Sequence, residues 1–267
     1  MAKKSKPLLV EVKSTEMVTP NLRRIIFSSD QLADYPDETA GLHIKAFIPK
    51  TGQDKSVLPK ISPEGRPVWP APEEKPYVRA YSVSYFDKDT CDIGIDFVMH
   101  KKGPASQWAA NAKIGDYFGL SRSGGPETMV AEGDFYLFAG DLSALPAMRV
   151  LLSRLPEDAK GVAFILTPAE TDRVLLDIKS SEFEVKWLIG DKSDFQVLSK
   201  EVSAWDWPES KVSAWVAGES TEVLGIRKYL KTKGLSTKDY YAIPYWKLGE
   251  SEEMYHAERH DIMEEIT

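Results

Sequence analysis

Arg79-Ala80-Tyr81-Ser82-Val83-Ser84-Tyr85 alternates large and small side chains, which is typical of a β-strand. The alternation predicts that Arg79, Tyr81, Val83 and Tyr85 share one face, where a guanidinium fork and an aromatic ring suit a ligand with a diphosphate and a flat conjugated ring. Further on, Gly103-Pro104-Ala105-Ser106 is a small-residue turn that opens a helical pattern, where backbone N–H groups can receive phosphate oxygens. With the Ser-x-Gly-Gly run at Ser121 to Gly125, these stretches predict a flavin dinucleotide site.

Short strand-like runs separated by turn residues fill the first half of the chain, and they predict a small antiparallel barrel. Between them, Thr51 to Lys75 is rich in Pro, Gly, Lys and Glu, which predicts a long surface loop. The predicted strands are Leu8–Lys13, Arg24–Phe27, Gly41–Ile48, Arg79–Phe86 and Asp92–His100.

The pattern changes at about residue 130, where apolar runs without alternation begin. Such runs suit strands buried on both faces of a parallel sheet, and strands that alternate with helices imply a nucleotide-sized crevice at their carboxyl ends. We therefore expect a barrel domain at 1–130, a Rossmann-like α/β domain at 131–250 and an acidic helical tail at 251–267. The predicted strands are Asp134–Ala139, Gly161–Leu166, Phe183–Ile189, Val212–Ala217 and Asp239–Ile243, with a helix at Ala144–Leu155 directly after Gly140-Asp141.

Composition narrows the possible functions of this chain of 267 residues. A net charge of −7 disfavours a nucleic-acid surface, and the single cysteine, Cys91, excludes an internal disulfide and a Cys-ligated iron–sulfur or zinc site. No run approaches the roughly 20 apolar residues of a membrane span, and the N-terminus lacks the apolar region of a secretory signal, so we expect a cytoplasmic monomer. His256 and His260 have the i,i+4 spacing of a metal pair, but their acidic surroundings favour a solvated helix, and no metal site is predicted.

The sequence resembles the ferredoxin reductase-like superfamily and, within it, the siderophore-interacting proteins, or ferric-siderophore reductases. Arg79 to Val83 looks like the superfamily's Arg-x-Tyr-(Ser/Thr) flavin motif, and Gly103–Ser106 and Tyr245-Trp246-Lys247-Leu248-Gly249 are the elements most specific to the branch. The resemblance runs from about residue 9 to residue 250 and includes Thr19–Arg24, His43-Ile44-Lys45, Asp96–His100, Gln107-Trp108-Ala109 and Gly115-Asp116.

The resemblance implies an FAD site in the barrel. Tyr81 would stack on the flavin, Arg79 would meet the pyrophosphate, and Ser82 would approach the reactive N5, although strict alternation puts Ser82 on the face opposite Tyr81. Ala105 and Ser106 would hold phosphate through backbone N–H groups at a helix start, which Ser106 can also cap. The implied set is completed by Val83, Asp96 and Val98, and by His100 and Trp108 near the adenine, with a barrel-filling role as the equal alternative for Trp108.

A nicotinamide donor would dock at Gly140–Ala147, which resembles the family's Gly-Asp-Glu-Thr-Ala-Leu-Pro-Ala loop with Leu142 and Ser143 in place of Glu and Thr. Gly218 and Glu219 resemble a second part of that site, or else they simply begin a helix. Glu170 and Asp172 would suit a free ribose hydroxyl, which favours NADH over NADPH, although Arg173 opposes this sign. A ferredoxin donor also stays open, and the acidic tail would compete with the donor if it packed near Gly140. The implied donor contacts are Gly140, Asp141, Ser143, Ala144, Gly218 and Glu219.

The predicted function is FAD-dependent reduction of a ferric siderophore. A ferric siderophore is usually a bulky anion, so an acidic protein needs a local cationic rim, for which Lys45, Lys247 and Arg122 are candidates beside an aromatic wall at Trp246. Flavin accepts two electrons and releases them singly, and Fe(II) matches hard oxygen ligands less well than Fe(III). Two alternatives are a siderophore carrier with a slowly reacting flavin and an electron-transfer reductase for an oxygenase, and the lack of a Cys cluster disfavours the second.

Overall fold

The computed structural model describes residues 6–63, 66–100, 103–126, 128–190, 196–252, 254–255 and 258. The chain divides into two compact units, Met1–Gly125 and Pro126–Thr267. The division falls slightly before the predicted boundary at residue 130. Within the described ranges, no helix is long and apolar enough to cross a membrane.

The first unit contains a closed barrel of six antiparallel strands. In chain order its strands are β1 (Leu8–Thr19), β2 (Leu22–Ser28), β3 (His43–Ile48), β6 (Tyr77–Asp87), β7 (Asp92–Val98) and β8 (Tyr117–Leu120), with a separate pair formed by β4 (Lys60–Ile61) and β5 (Pro67–Val68). Around the barrel the order is β1-β2-β7-β6-β3-β8. The barrel confirms the predicted fold, whereas β4 and β5 lie in the segment that we expected to be loop.

The barrel core follows from the alternation of each strand. Val10 and Val12 on β1 point inward, as do Ile44 and Ala46 on β3, and all four are buried. Helix α1 (Pro104–Asn111) packs Ala105 and Ala109 into the same cluster. The core therefore fixes where the N-terminus of α1 lies relative to the strands.

A β-bulge in β6 changes which face its residues take. Val83 pairs with Ile95 of β7, but Tyr85 pairs with the adjacent Gly94, so Ser84 is the extra residue. Val83 is fully buried and Phe86 packs against the core, whereas Tyr85 is 41% exposed. The prediction that Tyr85 shares a face with Arg79, Tyr81 and Val83 is therefore wrong, because a one-residue bulge reverses the alternation.

The second unit is a parallel α/β sheet, as predicted, and its strands lie in the order β11-β10-β9-β12-β13. Helices α3 and α4 pack against the sheet, and their residues Leu198, Val202, Val223 and Ile226 share its core. The elements are β9 (Phe135–Asp141), α2 (Leu145–Ser153), β10 (Gly161–Thr167), β11 (Phe183–Ile189), α3 (Val197–Ala204), β12 (Val212–Glu219), α4 (Ser220–Thr232) and β13 (Tyr240–Trp246).

Three neighbouring strands of this sheet end at polar or aromatic residues. Asp141 is the last residue of β9, Glu219 the last of β12 and Trp246 the last of β13. Because neighbouring strands in this sheet are parallel, these three residues lie at the same edge. This carboxyl edge is where ligands bind in open α/β sheets.

Candidate functional site

The pairing of β3 with β6 divides the predicted flavin residues between two faces. Arg79 pairs with Ala46 and Tyr81 pairs with Ile44, whereas Ser82 pairs with His43. Because directly opposed residues share a face, Ser82 lies on the same face as His43 and opposite to Tyr81. The register thus agrees with the alternation predicted for Arg79, Tyr81 and Ser82.

Tyr81 and Arg79 are both partly accessible on their face of β6. The Tyr81 ring packs on Phe97 with the ring centroids 4.7 Å apart and the planes tilted by 50°. The Arg79 guanidinium donates from Nη1 to the Val78 carbonyl at 2.8 Å. This face therefore presents an aromatic ring beside a guanidinium, the combination that a flavin diphosphate requires.

The start of helix α1 is held by a serine hydroxyl. Ser106 Oγ accepts a hydrogen bond from the His100 amide and donates one to the His100 carbonyl, both at 2.8 Å. The N-cap is Gly103, whose φ of 105° suits glycine, and a Cβ there would lie 2.8 Å from His100 Cε1. The prediction that Ser106 caps the helix is therefore wrong, because its hydroxyl fixes the approach of the chain instead.

The backbone at the start of α1 still suits a phosphate. The first N–H groups of a helix have no partner within the helix, and they carry the positive end of its dipole. Ala105 and Ser106 are at the second and third positions of α1. Their predicted role in phosphate binding stays a prediction that this geometry supports.

Several other predicted cofactor residues hold the barrel together. Both nitrogen atoms Nε and Nη2 of Arg24 donate to the Asp96 carboxylate at 2.7 Å, and Ser84 Oγ donates to it at 2.7 Å. Asp96 is 3% exposed, so its oxygens serve this network. Val83 is a core residue, and Val98 ends β7 opposite Leu22.

Trp108 lies in the aromatic cluster of the barrel. Its ring centroid is 4.4 Å from that of Phe118 and 6.0 Å from that of Phe97. These contacts favour the barrel-filling alternative over an adenine contact. The residues that fit FAD best are therefore Arg79, Tyr81 and the first amides of α1, while Val83, Asp96 and Trp108 shape the barrel that positions them.

Lys45 of β3 and Arg122 belong to paired segments on the side of β3 away from β6. The Ser121 amide donates to the Lys45 carbonyl at 2.8 Å, and the Lys45 amide donates to Ser121 Oγ at 2.8 Å. Arg122 follows Ser121 in the chain, so the two cations belong to adjacent hydrogen-bonded segments. The structure thus brings together two of the four predicted siderophore contacts, both in the first unit.

Asp141 connects the three strand ends at the carboxyl edge of the second unit. Its Oδ1 accepts from the amide of Ser143 at 2.8 Å and from its hydroxyl at 2.6 Å, and its Oδ2 accepts from the Glu219 amide and from Trp246 Nε1, each at 2.8 Å. A carboxylate has about four acceptor positions, so this one is saturated. Asp141 and Ser143 were predicted to contact the nicotinamide donor, but here their side chains order the sheet edge.

Gly218 and Glu219 form the start of helix α4, as the alternative interpretation predicted. Glu219 is the N-cap residue and its Oε2 accepts from the amides of Thr221 and Glu222 at 2.5 and 3.3 Å. Gly218 has a φ of 139°, and a Cβ there would lie 2.7 Å from Asp141 Oδ2. Gly140 and Ala144 flank Asp141 in the same edge, with Ala144 buried at the N-cap of α2.

Trp246 and Lys247, the other predicted siderophore contacts, have partners within the second unit. The Trp246 indole is held by Asp141, and Lys247 Nζ lies 2.6 Å from Glu258 and 2.9 Å from Glu250. The hydrogen bond with Glu258, followed by the one with Glu250, raises the pKa of the Lys247 ammonium above its ordinary value. Tyr255 is buried and its hydroxyl donates to Ser220 Oγ at 2.9 Å.

The loop after β10 offers one of its two predicted acids to solvent. Glu170 is exposed and accepts from Arg173 Nη2 at 2.8 Å, whereas Asp172 is fully buried. Asp172 therefore cannot present its carboxylate to a ribose on the surface, which corrects that part of the prediction. Arg173, whose positive charge opposed the preference for NADH in the sequence analysis, forms an ion pair with Glu170.

The predicted tail lies largely outside the described residues, and His256 and His260 lie outside them entirely. Within the described ranges, no three His, Cys, Asp or Glu residues are grouped so that they could hold a metal ion.

The main feature that sequence analysis missed is the set of contacts to Asp141. Its partners Glu219 and Trp246 are separated from it by 78 and 105 residues, and a local sequence pattern does not predict hydrogen bonds between residues so far apart. A partial signal was available, because Asp141, Glu219 and Trp246 each follow an apolar run in a predicted parallel sheet.

Comparison with known proteins assigns a protein family to each of the two units. A family of siderophore-interacting FAD-binding domains matches residues 11–127, and the siderophore-interacting protein family matches residues 133–249. The chain is 37% identical to the ferric vibriobactin reductase ViuB of Vibrio cholerae, over 97% of this chain and 96% of that protein. It is 24% identical to the NADPH-dependent ferric-chelate reductase of Escherichia coli, over 88% of this chain and 91% of that protein.

A solved structure agrees with these matches. The siderophore-interacting protein SipS from Aeromonas hydrophila superposes with a TM-score of 0.84 at 32% identity, covering 98% of this chain and 100% of that one. Because the match covers nearly all of both chains, the barrel and the parallel α/β unit each have a counterpart in SipS. The chain belongs to the family of FAD-binding siderophore-interacting proteins.

Proposed function

We propose that this protein is an FAD-dependent reductase of ferric siderophores that acts as a monomer in the cytoplasm. The observation that carries the proposal is the pairing of β3 with β6. One face of this pair carries Arg79 and Tyr81, which suit a flavin, and the other carries Lys45 beside Ser82. A single pair of strands thus joins a flavin-type site to a cation that can hold an anionic iron complex. The chain-wide similarity to a ferric vibriobactin reductase supports the same activity.

The side chains of the barrel contribute binding and orientation. Arg79 and the first amides of α1 hold the diphosphate, and the Tyr81 ring, supported by Phe97, fixes the plane of the flavin. FAD, when bound, accepts two electrons from a hydride donor and passes them on one at a time. No acid or base in the chain is required for electron transfer itself.

Lys45 and Arg122 hold the ferric siderophore by its negative charge. In a protein with a net charge of −7, a local cationic pair is needed to concentrate an anionic ligand at one place. Addition of one electron converts Fe(III) to Fe(II), which binds hard oxygen ligands less tightly, so the chelate loosens and releases iron. For Trp246 and Lys247 of the second unit a siderophore contact stays a prediction, and Lys247 would exchange its carboxylate partners for the ligand.

A reduced pyridine nucleotide is the proposed electron donor, and it would bind the carboxyl edge of the second unit. Gly140 and Gly218 remove side chains from that edge, and the N-termini of α2 and α4 point to it. The exposed Glu170 would accept from a ribose hydroxyl and oppose a 2′-phosphate, which favours NADH. Because the chain is similar to an NADPH-dependent reductase, NADPH should be tested against NADH as the electron donor, and a ferredoxin should be tested as the third donor.

Anaerobic stopped-flow spectroscopy on the FAD-loaded protein tests the proposal. Flavin absorbance is followed after mixing with NADH, with NADPH or with a reduced ferredoxin, and the reduced protein is then mixed with a ferric siderophore. We expect bleaching by NADH faster than by NADPH and rapid recovery with the iron complex. Slow recovery with tight binding of the complex would support a carrier, and recovery only with other acceptors would support an oxygenase reductase.

A further inference from the structure

His43 lies at the edge of the proposed siderophore site and has so far been given no role. It is the first residue of β3, it is exposed, and its neighbour across the ladder is Ser82. Lys45 follows two positions later, so alternation puts both side chains on one face of the strand. An imidazole therefore stands next to the ammonium group that the proposed function assigns to the iron complex.

Two glycines form the surface on which the imidazole rests. The His43 amide donates to the Gly124 carbonyl at 3.1 Å, and the Gly124 amide donates to the His43 carbonyl at 2.8 Å. A Cβ at Gly124 would lie 3.5 Å from His43 Nε2, and one at Gly125 would lie 3.8 Å from Nδ1. The Ser-x-Gly-Gly run, which the sequence suggested as part of the dinucleotide site, thus seats the ring of His43.

A bulge beside β3 brings Arg122 into the same region. Lys45 is hydrogen-bonded to Ser121 and His43 to Gly124, so Ile44 stands opposite both Arg122 and Ser123. Bulges of this kind redirect side chains, and they are common next to functional sites. The bulge is anchored on both sides, since Tyr35 Oη donates to the Ser121 carbonyl at 2.8 Å and Thr39 Oγ1 lies 3.2 Å from Ser123 Oγ.

Among the described residues, cations belong to the segments that carry or adjoin His43. Lys45 is on its own strand and Arg122 is on the neighbouring segment, while Ser82 across the ladder does not titrate in the accessible range. The nearby acids are Asp37 and Glu38, upstream in the 3-10 helix Asp37–Thr39. Asp37 is paired with Lys88 at 2.8 Å, so its charge is largely balanced. Burial raises the pKa of Tyr35 above its ordinary value, so this phenol stays neutral.

We propose that His43 is a third cationic contact for the anionic ferric siderophore, present only when its imidazole is protonated. This inference rests on the proposed function and adds a pH dependence to it. An imidazole ordinarily changes charge between about pH 5 and 8, whereas the side chains of lysine and arginine ordinarily titrate well above that range. Affinity for an anionic chelate would therefore rise as pH falls, and binding would in turn stabilise the protonated ring.

The test measures binding rather than turnover. A hexadentate tris-catecholate chelate of Ga(III), which is redox-inert and carries negative charge, is titrated into the FAD-loaded protein and into H43Q between about pH 6 and pH 8. Taking the affinity ratio of the two proteins at each pH cancels any titration of the chelate itself. We expect the ratio to fall from roughly three- to fivefold at the acidic end to near unity at the basic end, the range of one exposed ion pair.

A second measurement reports on the imidazole directly. In NMR spectra, saturation with the Ga(III) chelate should raise the pKa of His43 by about half a unit, which corresponds to a threefold preference for the protonated form. K45Q serves as the control, because it should weaken binding equally at every pH and keep the slope. A pH-independent affinity ratio together with an unmoved His43 titration would overturn this inference alone. Absence of chelate binding by either protein at any pH would overturn the proposed function as well.

Discussion

Replacing Asp141 by asparagine (D141N) tests whether this carboxylate holds the sheet edge together. The carboxylate of Asp141 accepts four hydrogen bonds from Ser143, Glu219 and Trp246, at 2.6 to 2.8 Å, and it is 9% exposed. Asparagine keeps one carbonyl oxygen and replaces the other by an NH2 group. The less costly orientation turns that group toward Ser143, whose hydroxyl can rotate and accept from it, so that only the Ser143 amide loses its acceptor.

The expected cost follows from that count. A donor left without an acceptor costs about 1–3 kcal/mol, so with one donor lost we expect D141N to lose about 1–3 kcal/mol of unfolding free energy. W246F removes only the indole donor and leaves the other three bonds, so it should cost about 1–2 kcal/mol. With the NH2 group toward Ser143 the indole keeps its acceptor, so W246F should cost about as much in D141N as it does in the parent protein.

Urea unfolding followed by far-UV circular dichroism measures these changes. Release of FAD reports the barrel separately, and its midpoint should stay unchanged in all three variants because the substitutions lie in the second unit. A loss below about 1 kcal/mol for D141N and for W246F alike would refute the assignment of Asp141 as the residue that joins the strand ends.

Three further predictions address other parts of the molecule. R79A should weaken FAD binding about 10- to 100-fold in a fluorescence titration because a charge-assisted phosphate contact is lost, while R66A on the exposed loop should leave the affinity unchanged. E222A should lower the unfolding free energy by about 1–3 kcal/mol in urea, because the Glu222 carboxylate accepts the amides of Leu198 and Ser199 at 3.1 and 2.8 Å; a neutral result would contradict its role as the cap of α3. The hydrogen bonds from the Ser236 hydroxyl and amide lower the pKa of Asp239 below 3.8, so its contribution is present above that pH and lost as pH falls through the lower folded value. The stability difference between the parent and D239N should accordingly shrink from about pH 7 to about pH 3, and a constant difference would contradict this.

The sequence predicted the elements of the second unit well because each parallel strand is a short unbroken apolar run. The run from Phe183 to Ile189 is also the observed strand, and Val212–Ala217 was extended only by Gly218 and Glu219. In the barrel, the predicted strands occur where the sequence indicated, but the face on which a side chain lies was not always predicted correctly. The bulge at Ser84 reversed the orientation of Tyr85, and a bulge depends on the partner strand rather than on local pattern.

Side-chain roles were harder to predict than elements because they depend on residues far away in the chain. Asp96 resembles a cofactor residue in its motif, yet Arg24, 72 residues earlier, occupies its carboxylate. Ser106 looked like a helix cap, but a glycine with a positive φ took that position and freed the hydroxyl to bind His100. The division of Tyr81 and Ser82 between two faces could be predicted because it follows from strand geometry alone.

The central claim is that electrons pass from the reduced flavin to chelated iron. The most direct measurement mixes the anaerobic, fully reduced protein with an excess of ferric siderophore and traps the released Fe(II) with a chromogenic ferrous chelator. The account predicts reoxidation of the flavin together with about two Fe(II) per FAD, since each iron takes one electron. A flavin that stays reduced in the presence of bound ferric siderophore, with no Fe(II) trapped, would contradict it.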